Sequence, residues 1–320
     1  MSLQYFALIE IEQVAAIVRA GHDSGVTAAL GEAPVSAEEI ARRIGGHELA
    51  CRQVLNVLEG LGYARLTEQG FVASRELSDM RRDQSFNWKH LPRYIETGKP
   101  WKEIDKTLED LDDFYVNFFG EVDYGEKMLS VAQAVAARLE TRPRRILDIG
   151  AGTGVWSLAM AARLPEAFVT GVDLPDVLQT HFKQRAAMLG LGGRIDVRPG
   201  DFHLLDYPEG AYDRVVMGQS YHFVREKESA GFLARISGTL SPGGELVIIH
   251  HFADATQQKK LSRSLYEVRL SMRSKSTKNY SPSEMEAMCG RAGLRLVNSF
   301  DVEGPGFLSV IVFEKPRAGR

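Results

Sequence analysis

RILDIGAGTGVWSLAMAARLPEAFVTGVD, residues Arg145 to Asp173, decides how the chain folds. Ile146 and Leu147 make a short apolar run that ends on an acid, Asp148. A glycine cluster follows at Gly150, Gly152 and Gly154, and then an amphipathic segment from Val155 to Leu164. A second apolar run, Phe168 to Val172, closes on another acid, Asp173. The order is strand, tight turn, helix, strand, with a carboxylate at the carboxyl end of each strand. In an open parallel sheet ligands gather at that end.

The glycines let the backbone take positive φ and let a ligand approach the main chain closely. The helix beginning near Thr153 turns free N–H groups toward whatever occupies the turn. The spacing Asp148-x-Gly150-x-Gly152-x-Gly154 leads with an acid, where the dinucleotide fingerprint leads with glycine. An acid in that place repels a pyrophosphate and attracts a cation bearing an amino group or a sulfonium. Asp173, about 20 residues beyond the turn, suits a ribose diol, because an ionised carboxylate only accepts hydrogen bonds. LDIGAGTG followed by GVDLP resembles motifs I and II of the class I S-adenosylmethionine-dependent methyltransferases. The resemblance implies that Asp148, Gly150 and Gly152 hold the methionine part of S-adenosylmethionine and Asp173 its ribose. Leu174 and Gln219 join that cofactor-binding set.

After Asp173 the α/β alternation continues. Val177 to Leu189 reads as a helix, Ile195 to Arg198 as a strand, and Tyr212 to Met217 as another. A helix from Glu226 to Leu240, a buried strand from Glu245 to His250, helical stretches at 255–272 and 282–292, and strands Leu294–Asp301 and Phe307–Phe313 follow. Strands alternating with helices imply a Rossmann-like, mainly parallel, doubly wound sheet in an α/β fold. Gly200-Asp201-Phe202 directly follows the third core strand. In the resembling family the acid of this pattern meets the adenine amino group and the aromatic covers the ring, which assigns those roles to Asp201 and Phe202.

The N-terminal third reads differently. Ser36 and Glu39 have the spacing of a capping box that opens a helix from Ala37 to Ile44. Val54, Leu55, Val57, Leu58 and Leu61 line one face of the next helix, Leu49 to Leu61, and a small hairpin spans Ala64 to Ala73 with its turn at Gln69-Gly70. With a helical stretch within residues 8–30, where Leu8, Ile11, Val14, Ala15 and Val18 recur at helical spacing, these helices and the β-wing make a winged helix. The helix placed to read DNA presents Glu48, Arg52, Gln53, Asn56 and Glu59, whereas a surface that reads DNA needs several cations. The run GVTAALGEAPVSAEEIARRIGGHELACRQVLNVLEGLGYARLTEQGFVAS resembles the N-terminal dimerisation domain of small-molecule O-methyltransferases, which implies a homodimer. The expected organisation is a winged-helix dimerisation domain at 1–100, connecting helices at 101–140 and a catalytic domain at 141–320. SRELSDMRRDQS reads as a solvated connector. Phe114, Tyr115, Phe118 and Phe119 recur at helical spacing, either as a packing face or as part of an acceptor pocket.

Composition sets the boundaries of function. The 320 residues carry 39 Lys plus Arg against 42 Asp plus Glu, a net charge of −3, which gives no global attraction to nucleic acid or an anionic membrane. Cys51 and Cys289, the two cysteines, lack metal-ligand spacing and suit buried positions in a reduced, cytoplasmic setting. MSLQYFALIEIEQ sets acids among its apolar residues, unlike a signal peptide, and no apolar run reaches the about 18 residues of a membrane span.

The resemblance assigns the acceptor chemistry to His222, which would otherwise cap or pack the following helix. The count from Asp213 to His222 matches the O-methyltransferase pattern whose histidine deprotonates the acceptor hydroxyl. A phenol with pKa near 10 needs such a base, and histidine suits neutral pH. The sequence departs from the family in three places. Phe223 and Val224 replace the acid and tryptophan after the histidine; Lys278-Asn279-Tyr280-Ser281 stands where a supporting glutamate is common; His250-His251 replaces an acid after the Gly-Gly strand. No metal is assigned to His222, His250 and His251, because adjacent strand residues face opposite ways. Arg269, Arg273, Lys275 and Lys278 form a basic run that reads as a solvated face, with the binding of an acidic acceptor as the alternative. Tyr115, Phe119, His251 and Arg269 are the candidate acceptor contacts.

The function this implies is methyl transfer from S-adenosylmethionine to the hydroxyl of a small aromatic or polyketide-like metabolite, as in secondary metabolism, with His222 as base. C- or N-methylation on the same scaffold, with His222 only orienting the acceptor, is the alternative. A metabolite-sensing winged-helix regulator is the reading from another class.

Overall fold

Near-continuous apolar strands need cover on both faces, and the chain supplies it with helices. A computed structural model describes residues 3–74, 77, 90–100, 108–122, 124–252, 257–272, 274, 278–302 and 308–317. The chain divides into two compact units, Met1–Ser85 and Phe86–Arg320.

The first unit holds helices α1 (Leu3–Asp23), α2 (Val26–Ala29), α3 (Ala37–Ile44) and α4 (Glu48–Gly60), followed by strands β1 (Ala64–Thr67) and β2 (Gly70–Ala73). Ile40, Leu55, Leu58 and Leu77 are fully buried in its core. Ser36 caps α3 by accepting the Glu39 amide at 3.1 Å, yet the reciprocal half of the expected box is diverted. The Glu39 carboxylate turns outward to Arg42 and Arg43, at 2.5 and 2.9 Å. β1 and β2 pair antiparallel with Thr67 opposite Gly70, so the turn is Glu68-Gln69, one residue earlier than expected. Arg52, the cation on α4, is paired with Glu48 at 2.5 Å. Both cysteines are buried.

In the second unit α5 (Leu91–Thr97), α6 (Leu108–Val122), α7 (Tyr124–Lys127) and α8 (Leu129–Arg138) lead into a seven-stranded sheet. Its strands are β3 (Arg145–Ile149), β4 (Phe168–Asp173), β5 (Ile195–Pro199), β6 (Tyr212–Gly218), β7 (Leu240–His250), β8 (Arg295–Asp301) and β9 (Ser309–Glu314). They lie in the order β5-β4-β3-β6-β7-β9-β8, parallel except that β9 runs antiparallel to both neighbours. Helices α9 (Val155–Arg163), α10 (Pro175–Val177), α11 (Lys183–Met188), α12 (Glu226–Thr239), α13 (Gln257–Ser271) and α14 (Pro282–Arg291) cover it. Alternate strand residues serve opposite faces. Ile146, Val216, Val247 and Ile249 pack with Val135 and Leu158, while Leu147, Val215, Met217 and Ile248 pack with Leu233, Ile236 and Met285. The strand order reverses beside β3, which creates the crevice where the sheet's ligand belongs.

Three local features differ from expectation. The helix expected over 177–189 is broken by a π-helical turn, Leu178–Phe182, between α10 and α11. β7 starts at Leu240 rather than Glu245, with a register shift against β6 between Tyr212 and Arg214. The complete capping box lies at α14, where Ser281 and Glu284 exchange both bonds. Most of the SRELSDMRRDQS connector falls outside the described residues, as do Trp88, Trp101, Arg273 and Lys275. Among the described residues no helix is long and apolar enough to cross a membrane.

Away from the carboxyl edge, Arg214 of β6 is 1% exposed and donates to Glu245 of β7 at 2.6 Å. Thr141 donates to the same carboxylate at 2.6 Å. Removing one partner of a buried pair strands the other charge. Glu245→Leu is expected to lower unfolding free energy by about 3–5 kcal/mol in urea titration. A loss under about 1 kcal/mol contradicts this account of the pair.

Candidate active site

The turn after β3 is built by its own backbone. Gly150 and Ala151 donate to the Val172 carbonyl at 2.9 and 3.0 Å, which folds the turn against β4. Gly150 takes φ 68° and Gly152 φ 53°. A Cβ on Gly150 would lie 2.5 Å from Ser220 Cβ, and one on Gly152 2.8 Å from Phe119 Cζ. Both positions therefore need glycine for conformation and for space. Between the two glycines and the helix, the Thr153 hydroxyl is buried without a protein partner.

Two acids flank this turn. Asp148 is 1% exposed and accepts the Ser157 hydroxyl at 2.5 Å. Burial, reinforced by the nearby charge of Asp173 and opposed by Ser157, pushes its carboxyl up to about 7. Asp173 accepts the Gly152 amide and the amide of the buried Leu174, each at 2.7 Å. Burial raises it to about 6 despite those two donors, and Asp112 adds to the rise. Asp112, unforeseen in the sequence, accepts the amides of Asp176 and Val177 at 2.9 and 3.0 Å, fastening α6 beside Asp173. The π turn brings His181 within 2.8 Å of the Val116 carbonyl, a second tie between α6 and the sheet.

At the end of β5, Asp201 accepts the His203 amide at 2.9 Å, and Phe202 packs on His203 with ring centroids 4.3 Å apart. Phe202 Cε1 is 3.8 Å from where a Gly150 Cβ would stand, so this aromatic reaches the glycine turn. Gln219 follows β6 with φ 56°, the one described residue other than glycine at positive φ. Such strain concentrates at functional sites. The half-buried Tyr124 donates its hydroxyl to the Gln219 side-chain carbonyl, and Ser220 donates to the Ile149 carbonyl at 2.6 Å. These bonds join the end of β6 to the turn after β3.

His222 lies two residues beyond Ser220 in a short 3-10 turn, Tyr221–Phe223, and is 5% exposed. Its carbonyl accepts the Lys278 amide at 3.1 Å, and Tyr280 donates to the Val224 carbonyl at 2.8 Å. The Lys278–Ser281 run thus holds the histidine turn through main chain and a phenol. The Lys278 ammonium is engaged by Glu226 at 2.7 Å and Glu284 at 3.2 Å. The imidazole stacks on His250, centroids 5.2 Å apart and planes at 16°. Tyr266 of α13 lies with its hydroxyl 3.5 Å from His222 Nδ1. His251 packs on Tyr266 at 4.2 Å. β7 ends at His250, so His251 escapes strand alternation, and both histidines meet the same ring. Among the described residues no group of His, Cys, Asp and Glu is arranged to hold a metal ion.

α6 closes the gap between the donor turn and His222. Phe119 lies over Gly152 and packs against Tyr124 at 5.9 Å, while Tyr115 meets Phe223 edge-on at 5.9 Å. Arg269, expected on a solvated face, is half-buried three residues beyond Tyr266 on α13. Asp148, Gly150, Gly152, Asp173, Leu174, Phe202, Gln219, Phe119 and Tyr124 therefore surround one turn. His222, His250, His251, Tyr266 and Tyr115 gather around the next.

Residues 146–244 match the family described as "Methyltransferase domain". A demethylmenaquinone methyltransferase of Thermus thermophilus is 31% identical over 128 residues, 40% of this chain and 56% of that protein. The chain spans about half the length of several such curated relatives. The tetracenomycin polyketide synthesis 8-O-methyl transferase of Streptomyces glaucescens is 21% identical over 89% of this chain and 88% of its own. The structure of human N-acetylserotonin methyltransferase, solved in complex with SAM, shares the fold with a TM-score of 0.69, 17% identity and 99% coverage of both chains.

Proposed function

We propose that this chain, which carries a methyltransferase domain at residues 146–244, transfers a methyl group from S-adenosylmethionine to a hydroxyl of a small aromatic or polyketide-like metabolite. The observation that carries this reading is the pair of acids, Asp148 buried and Asp173 half-buried, astride a turn that only glycine can make, with an imidazole one turn away. The donor set suits the cofactor. Asp148 takes its amino group, Gly150 and Gly152 give it room, and Asp173 with Leu174 receives the ribose. Asp201 accepts from the adenine amino group, Phe202 covers the ring, and the Thr153 hydroxyl is a further buried donor at the turn. Gln219, held by Tyr124, keeps the wall between the two turns in register. When bound, the cofactor supplies an electrophilic sulfonium methyl.

On the acceptor side Tyr115 and Phe119 offer flat apolar faces, and His251 and Arg269 offer polar edges. His222 takes the acceptor's proton as the oxygen attacks, so no free phenoxide has to exist in solution. The name of the tetracenomycin polyketide synthesis 8-O-methyl transferase supports an oxygen acceptor on a polyketide-like metabolite. The decisive test is product analysis with methyl-labelled S-adenosylmethionine and a panel of hydroxylated aromatics. Label on oxygen is expected. Label on carbon or nitrogen instead selects the second reading, in which His222 orients the acceptor, which Phe223 in the place of the family's acid favours.

The acids make cofactor binding depend on pH. In the unfolded chain both ionise near pH 4, whereas in the fold Asp173 and Asp148 hold their protons to about 6 and about 7. Their contribution to the stability of the free protein is present at low pH and lost as pH rises across that interval. A cationic ligand draws the ionised carboxylates. Saturating S-adenosylmethionine is therefore expected to raise Tm more at pH 8 than at pH 6 in a thermal shift assay. An equal or larger rise at pH 6 contradicts the assignment.

The first unit serves self-association in this reading. Leu8 and Ile11, three residues apart on α1, are 63% and 65% exposed, an apolar stripe suited to a second copy. Sedimentation is expected to give a dimer that Leu8→Glu with Ile11→Glu converts to monomer; a monomeric parent protein overturns it.

A further inference from the structure

Tyr266 is the hub of the three buried imidazoles. Its ring meets His222 edge-on at 6.2 Å and His250 at 5.6 Å, and lies 4.2 Å from His251. None of the three histidines is more than 8% exposed, so each depends on its neighbours for orientation. The hydroxyl stands 3.5 Å from His222 Nδ1, at the outer limit of hydrogen bonding, as such contacts often do before substrate is bound. We propose that Tyr266 is the positioning residue of His222: its phenol oxygen accepts from Nδ1–H and so leaves Nε2 as the basic nitrogen for the acceptor.

The chemistry follows from the inventory of the two side chains. A neutral imidazole carries one N–H, and the hydrogen bond made by one nitrogen sets the tautomer of the ring. A phenol oxygen on Nδ1–H fixes the same tautomer that a carboxylate would. It brings no full charge into a buried site, so it avoids the desolvation that a second carboxylate demands. The titratable neighbours of the ring include His250 from β7, stacked on one face, and Tyr266 with His251 beyond it. Lys278 contributes its amide to the turn while its ammonium is paired with Glu226 and Glu284. The imidazolium formed on proton uptake is then stabilised by the phenol oxygen. The catalytic consequence, though not the hydrogen bond, rests on the reading of His222 as the base.

The test needs no acceptor. Long-range 15N–1H spectra of the full chain labelled in histidine, with His222→Gln assigning the resonance, report the tautomer directly. The expected spectrum has His222 protonated on Nδ1. Tyr266→Phe, which keeps the ring and removes the oxygen, is expected to mix the tautomers. It should also lower the His222 titration midpoint by about half to one pH unit, the worth of one hydrogen bond. An Nε2–H tautomer in the unaltered protein overturns the proposal even if the variant misfolds. So does a Tyr266→Phe spectrum and titration identical to the parent's. Turnover of His222→Gln is the separate arm. If it stays near normal while the spectra come out as expected, the base reading fails and the Tyr266 hydrogen bond stands.

Discussion

His222→Gln is expected to lower turnover at least about 100-fold while leaving S-adenosylmethionine affinity unchanged. Glutamine keeps a polar side chain in the same buried turn, which the Lys278 amide and the Tyr280 hydroxyl hold through main-chain carbonyls. The change therefore removes the proton acceptor and little of the architecture. A general base contributes about 10²–10⁴ in rate, and a phenol with pKa near 10 is almost wholly protonated at neutral pH without one. Radiolabel transfer to a hydroxylated aromatic, followed as initial rates, measures the loss. A rate within about threefold of the parent gives His222 an orienting role and favours a carbon or nitrogen acceptor.

Asp173→Ala carries the second large effect, on the donor side. Its two oxygens already accept the Gly152 and Leu174 amides. Each carboxylate oxygen has further lone-pair capacity for a ribose hydroxyl. Hydrogen bonds to a charged group contribute about 1.5–3 kcal/mol each, so losing two weakens binding about 10²–10⁴-fold. The alanine variant also leaves the Gly152 amide without its acceptor and loosens the turn itself. Asp173→Asn keeps one acceptor oxygen for that amide, so it is expected to bind more tightly than Asp173→Ala and more weakly than the parent. Calorimetry with S-adenosylmethionine orders the three. Equal affinities remove Asp173 from the ribose.

The donor turn was legible because its causes are local. Apolar runs ending on Asp148 and Asp173, with glycines between, leave one economical folding, and β3, α9 and β4 follow it within a residue or two. The π turn at Leu178–Phe182 was not legible. One extra residue per turn barely alters apolar periodicity, yet it brings His181 to α6. Ser36-x-x-Glu39 and Ser281-x-x-Glu284 look alike in sequence, and only the second closes both bonds. Arg42 and Arg43 compete for Glu39 in the first, whereas Glu284 shares Lys278 without leaving its cap.

The acceptor side was the least legible, since its residues meet only across the fold. Tyr115 reaches Phe223, and Tyr266 reaches His222 and His251, over separations that no spacing rule connects. Composition gave no hint of a phenol where a carboxylate is common. Strand alternation predicts opposite directions for His250 and His251, yet both meet the Tyr266 ring, because the strand stops between them.

The central claim is that the carboxyl ends of β3 and β4 hold S-adenosylmethionine. Equilibrium binding of the methyl-labelled cofactor to the full chain at pH 8 tests it most directly. The prediction is saturable binding of one molecule per chain, displaced by S-adenosylhomocysteine and lost in Asp173→Ala. Absence of saturable binding to the unaltered protein, or saturable binding that Asp173→Ala leaves intact, contradicts it.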